Sequence, residues 1–140
     1  MNMNVNDWTV AVQLPHGDIR WIEDGIVAGL PNEGVVETPE LSRKVYEGYQ
    51  SCVEACGRPV AVIVLVDKLG NQTPEVRAYW QKVMQPDVFC CCALVSQSFF
   101  ARAISSFLIG LRKPGVPTRI FGELAPAVDW ARQQVQARPQ

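Results

Sequence analysis

The chain has 140 residues and a mass of 15.5 kDa, the size of one ordinary domain with a core large enough to fold without disulfides or a metal. Hydrophobic residues make up 48% and charged residues 19%, which excludes extended disorder and fibrous or collagen-like structure. Thirteen Lys and Arg stand against 14 Asp and Glu, a net charge of -1, and that balance is a poor footprint for the phosphate neutralisation on which nucleic-acid binding depends.

The first residues are polar and rich in Asn, without the basic and then apolar regions of a secretory signal. The longest apolar stretches, residues 60–66 and 88–95, fall far short of the ~20 residues a membrane span needs. Five cysteines (Cys52, Cys56, Cys90, Cys91 and Cys92) are an odd number with three adjacent, which is not a disulfide framework. A cytoplasmic, reduced protein with no transmembrane segment is expected. Residues 1–60 carry nine acidic and four basic side chains, and residues 61–140 carry five acidic and nine basic. Opposite ends of this kind favour self-association or a charged partner.

Trp8, Val10, Val12 and Leu14 recur at period two and predict a first strand. Pro15-His16-Gly17-Asp18 is turn chemistry, and residues 19–23 read as a second strand. Asp24-Gly25 predicts a type I′ hairpin leading into a third strand over 26–30. Thr38-Pro39-Glu40 opens a helix: Thr caps it, Pro suits the first turn and Glu complements the positive end. Leu41, Val45, Tyr49, Cys52, Val53 and Cys56 form its apolar stripe, and Gly57-Arg58-Pro59 stops it.

Residues 60–66 are apolar without alternation, as in a central parallel strand covered on both faces. A second Thr-Pro-Glu, Thr73-Pro74-Glu75, starts a second helix with Val76, Trp80, Val83 and Met84 inward. Residues 88–95 are the next buried strand, and Ser96-Gln97-Ser98 precedes a third helix rich in Phe, Ile and Leu. A stiff loop, residues 113–117, leads to a short strand over 118–121. A last helix follows over 125–137, with Leu124, Val128, Ala131 and Val135 inward. The expected fold is α/β: an N-terminal β-meander, then βα units forming a mixed, mainly parallel sheet flanked by about four helices. Residues 1–140 read as one domain with flexible ends at 1–7 and 138–140.

The segments Trp21-Ile22-Glu23-Asp24-Gly25-Ile26, 60–67 and 112–121, with Ala127-Val128-Asp129-Trp130 near the end, resemble small bacterial STAS-like domains of the SpoIIAA-like, STAS/SEC14 type. The likeness runs from about residue 19 to about residue 132. It implies a sheet core with packed helices, no inherent catalytic centre, and a role in protein interaction or ligand sensing. In the related anti-sigma-factor antagonists a serine at the start of the helix after the central strand is phosphorylated. The matching stretch here, residues 67–77, lacks Asp-Ser-Ser and offers only Thr73, whose simplest role is the N-cap that Thr38 also fills.

Three adjacent cysteines in a strand place Cys90 and Cys92 on one face and Cys91 on the other, which suits packing better than a tetrahedral metal site. The single histidine, His16, lies in a turn, so a Ser–His–acid triad has no support. No catalytic residue, cofactor or metal is expected, and the protein reads as a non-enzyme. Ligands of open α/β sheets favour the carboxyl ends of the parallel strands, where Asp67, Asn71, Ser96 and Ser98 would gather, with Arg102 one turn into the next helix. The apolar load of 99–111 exceeds a single stripe, so Phe99, Phe107 and Ile109 are interface candidates, and nearby Arg119 would suit an anionic group. The sequence thus predicts a cytoplasmic binding or regulatory module acting as a homodimer or on a protein partner. The alternative is a carrier of a small apolar molecule or lipid, held between sheet and helix.

Overall fold

A computed structural model describes residues 4–68, 72–98 and 115–137. Six strands form one sheet in sequence order: β1 (Thr9–Leu14), β2 (Gly17–Glu23), β3 (Ile26–Pro31), β4 (Val60–Leu65), β5 (Phe89–Val95) and β6 (Thr118–Phe121). β1, β2 and β3 pair antiparallel, and β3 to β6 are parallel to one another. Three α-helices lie among the described residues: α1 (Pro39–Cys56), α2 (Pro74–Val83) and α3 (Leu124–Ala137). The architecture is the mixed α/β arrangement expected. The helix anticipated after Ser98, with Phe99, Arg102, Phe107 and Ile109, lies outside the described residues.

The meander closes differently from its sequence signal. Gly25 has φ +82°, but among the described residues no non-glycine residue, Asp24 included, has positive φ, so Asp24-Gly25 is not the type I′ turn expected. A register shift at Ile22, between the pairs Trp21–Val27 and Glu23–Ile26, accompanies the turn. Both Thr-Pro-Glu starts do form N-caps. Thr38 Oγ accepts from Leu41 N–H at 3.2 Å and Thr73 Oγ from Val76 N–H at 3.3 Å. Gly57 ends α1 in the left-handed region, with φ +79°, and donates its N–H to Val53 at 2.7 Å.

Alternation along the central strands divides the core in two. Val60 and Val62, with Phe89 and Cys92, face α1. Ala61 and Ile63, with Cys91, Ala93 and Val95, face α3. Each fully buried Val, Ile or Phe side chain among them contributes roughly 1.5–3 kcal/mol of transfer free energy. α3 sits directly on β4 and β5 through Ala127, Val128 and Ala131, all fully buried. α1 covers the other face with Ser42, Gly48, Tyr49 and Cys52. α2 packs chiefly on α1, and Val76 is its one buried residue. Rings fill the seam: Tyr49 meets Phe89 edge-on at 5.3 Å and Trp80 at 6.3 Å, while Tyr46 meets Tyr79 at 6.4 Å.

The cysteine triplet departs from simple alternation. Val60 pairs with Phe89 but Ala61 with Cys91, so Cys90 is the extra residue of a β-bulge. The bulge puts the Cys90 side chain beside that of Cys91, which it meets in a hydrogen bond, whereas Cys92 faces α1. The bulge interrupts the unbroken alternation on which the expected common face of Cys90 and Cys92 rested.

Candidate functional site

The carboxyl ends of the parallel strands carry two polar groups, each centred on a carboxylate. Asp67 lies in a 3₁₀ turn, Val66–Lys68, that ends β4. One oxygen accepts from Ser96 Oγ at 2.5 Å and the other from the Gln97 N–H at 2.8 Å. Ser96 Oγ in turn accepts from the Ser98 N–H at 3.2 Å, and the Ser96 N–H bonds the Phe121 carbonyl at 3.0 Å. Ser96 is 2% exposed, so this group ties the ends of β4, β5 and β6 together.

The second group is centred on Glu37, which sequence analysis did not single out. Glu37 is 8% exposed although it sits in the connection from β3 to α1. Its carboxylate accepts from Ser42 Oγ, from Gln72 Nε2 at 3.0 Å and from the indole N–H of Trp80 at 2.5 Å. Three donors from α1, α2 and the segment before α2 therefore converge on one buried charge, the satisfaction such a charge requires. The one available sequence signal was Trp80 itself, an inward indole that needs an acceptor.

The sequence candidates are only partly brought together. Asp67, Ser96 and Ser98 meet as described, whereas Asn71 and Arg102 lie outside the described residues. Arg119 is in register with Ala93 on the α3 side of β6, its guanidinium 5.3 Å over the Phe121 ring, and does not join the Asp67 group. Thr73 is the N-cap of α2, and Arg77, one turn on, donates to the Gln72 carbonyl at 2.6 Å. The interface candidates Phe99, Phe107 and Ile109 lie outside the described residues.

Burial governs the titratable groups of the core. It pushes the Cys52 thiol up to about 11 and the Cys92 thiol up to about 12. Cys91 is raised by its hydrogen bond with Cys90 and then by burial, and Tyr49 is raised by burial. Such thiols stay protonated at neutral pH and are weak nucleophiles. Among the described residues no three His, Cys, Asp or Glu side chains group to hold a metal ion, and no helix is long and apolar enough to cross a membrane.

The meander, the four parallel strands and the helices on both faces define a SpoIIAA-like fold. The same fold occurs in the crystal structure of an uncharacterized protein of the DUF3478 family from Shewanella loihica PV-4, with a TM-score of 0.55 and 13% identity over 93% of this chain and 99% of that one. Residues 20–135 match the family model of a domain of unknown function, DUF7793, and the chain belongs to that family. None of the curated proteins matches it.

Proposed function

We propose that the protein is a non-enzymatic, cytoplasmic binding or regulatory module that acts through self-association or a protein partner. What carries this reading is that the two carboxylates at the sheet's carboxyl edge are taken up by the chain's own donors. Asp67 is taken up by Ser96 and Gln97, and Glu37 by Ser42, Gln72 and Trp80. Carboxylates committed to internal donors fasten elements together, and recognition then falls to the outer surface. The opposite charge of the two halves and the apolar load of 99–111 favour a second chain as the occupant. A carrier of small apolar molecules would need room between sheet and helix, and beneath α1 that space is filled by Tyr49, Cys52, Phe89 and Cys92.

Sedimentation equilibrium of the parent chain and of Phe107→Asp and Ile109→Asp tests the reading. The parent should associate reversibly, and each variant should shift toward monomer with an unchanged circular dichroism spectrum. A parent that stays monomeric at high concentration and a folded variant that associates as the parent does would each overturn self-association through this segment.

A further inference from the structure

At the amino ends of β3 and β4, opposite the carboxyl edge, a cleft of about 380 Å³ opens between the Asp24-Gly25 turn, Arg58 and the last turn of α3. That volume lies at the small end of the roughly 300–1,000 Å³ typical of ligand cavities. Ile26 and Val135 supply apolar lining, and two arginines and two carboxylates supply the charge.

The two arginines are held differently. Arg132 is committed to protein: its Nε and Nη2 grip both oxygens of Glu23 at 3.1 and 2.7 Å, and its Nη1 bonds Asp129 at 3.2 Å. Among the described residues the Arg58 side chain makes one hydrogen bond, from Nη2 to Asp24 at 3.1 Å, and the Asp24 side chain is 82% exposed. An ion pair so open to water is worth little and yields readily to a competitor. The Arg58 guanidinium is nevertheless well placed. It lies against Gly25, where a Cβ would come within 2.9 Å of Nη2 and 3.3 Å of Nε. The backbone beneath is fixed by the Ala61 N–H bonding the Gly25 carbonyl at 2.9 Å.

We propose that this cleft binds a small monocarboxylate, with the Arg58 guanidinium as its anchor. The ligand's two oxygens take the planar fork, Asp24 is displaced into water, and a short apolar tail lies along the half-buried Val135, with Ile26 buried in the core behind the cleft. A single charge fits because Arg132 is taken up by both Glu23 and Asp129, which leaves the Arg58 guanidinium as the one cation to be matched. A dianion such as phosphate would place a second negative charge beside Glu23 and Asp24 with no cation to meet it. The site lies at the opposite edge from Asp67 and Glu37, so it stands independently of the partner-binding reading.

Titration of the labelled chain with isovalerate, followed by ¹H–¹⁵N NMR, tests the proposal. Saturable shifts are expected at the Gly25 and Ile26 amides and at the Arg58 Nε–H, and none with neutral isovaleramide. Arg58→Met should weaken binding at least tenfold. Asp24→Asn removes the internal competitor at an exposed position where folding is not at stake, and should tighten binding about threefold. Absence of saturable shifts, equal response to isovaleramide, phosphate binding as tightly as isovalerate, or an Asp24→Asn variant that binds more weakly would each overturn it.

Discussion

On one face of the sheet α3 lies directly on β4 and β5, its approach set by the small residues Ala127, Val128 and Ala131. On the other, α1 covers the strands with Tyr49 and Cys52, and α2 rests chiefly on α1, fastened by Trp80 and Gln72 to the carboxylate of Glu37. The first attachment is made by shape over a continuous apolar surface. The second is made by rings and one buried charge. Apolar contact of the first kind is lost only when the whole face opens, whereas a polar pin can release a single helix. The difference separates an element that belongs to the global fold from one that can open by itself.

The largest expected effect comes from titrating the buried acids. An acid whose pKa is raised by folding is protonated in both states below its unfolded value and has no effect there. Above that value the unfolded chain ionises and the folded chain does not, so stability falls until the folded pKa is passed. For Cys52 and Cys92 the window opens near pH 9.0, the ordinary thiol value, and closes near 11 and 12. The loss is at most about 1.4 kcal/mol per pH unit for each thiol. Urea denaturation should show a flat midpoint from pH 6 to 8 and a falling one above pH 9. Since Cys52 is carried by α1 and Cys92 packs in the same core beneath it, the double variant Cys52→Ala/Cys92→Ala should flatten that fall. An unaltered slope would assign the titration to other groups.

Removal of the pin comes next. Glu37→Ala leaves the Trp80 indole N–H, the Gln72 amide and the Ser42 hydroxyl without their acceptor, at a cost of about 1–3 kcal/mol. Hydrogen exchange near neutral pH should show amides of α2 losing protection while those of α3 keep theirs. Equal loss in both helices would mean that Glu37 supports the whole fold, and the contrast between the two faces would fail.

The same contrast marks what could be read in the sequence. Elements set by neighbours in the chain were legible: a strand after Trp8, the two Thr-Pro-Glu caps, and the apolar runs that became β4 and β5. Features set by distant partners were not. The period-two face expected for the first strand is broken by a register shift between Val10 and Val12, which leaves Val10 48% exposed. The bulge at Cys90 exists because β5 pairs with Val60 and Ala61, and nothing in Cys-Cys-Cys itself announces it. Glu37 reads as one more surface acid until Trp80, 43 residues away, turns its indole toward it. Arg132 finds Glu23 across 109 residues, and only that pairing leaves Arg58 as the cleft's lightly held cation. Of the carboxyl-edge candidates, topology brought Asp67, Ser96 and Ser98 together because all three terminate adjacent strands. Which face Arg119 takes was not legible either, because a position on a strand does not declare its face until the register with Ala93 is known.

The smallest expected effect is also the sharpest test of the contrast, because the two helix starts are chemically alike. Thr38 and Thr73 are each followed by Pro and Glu, and each accepts from the N–H three residues on, at 3.2 and 3.3 Å. Replacing such a cap by Ala costs about 1 kcal/mol in either helix. The cost should be expressed differently. α1 buries Ser42, Gly48, Tyr49 and Cys52, so it does not leave without the core, and Thr38→Ala should lower the global melting temperature. α2 buries only Val76, so Thr73→Ala should act mainly as local opening, with faster exchange at the α2 amides and a nearly unchanged melting temperature. A phosphate mimic at Thr73 would act on the same local equilibrium, since the hydroxyl it replaces is the one that holds the Val76 N–H. If the two variants lower the melting temperature equally, α2 is as much a part of the cooperative core as α1, and the polar pin at Glu37 only adds to a docking that packing already secures.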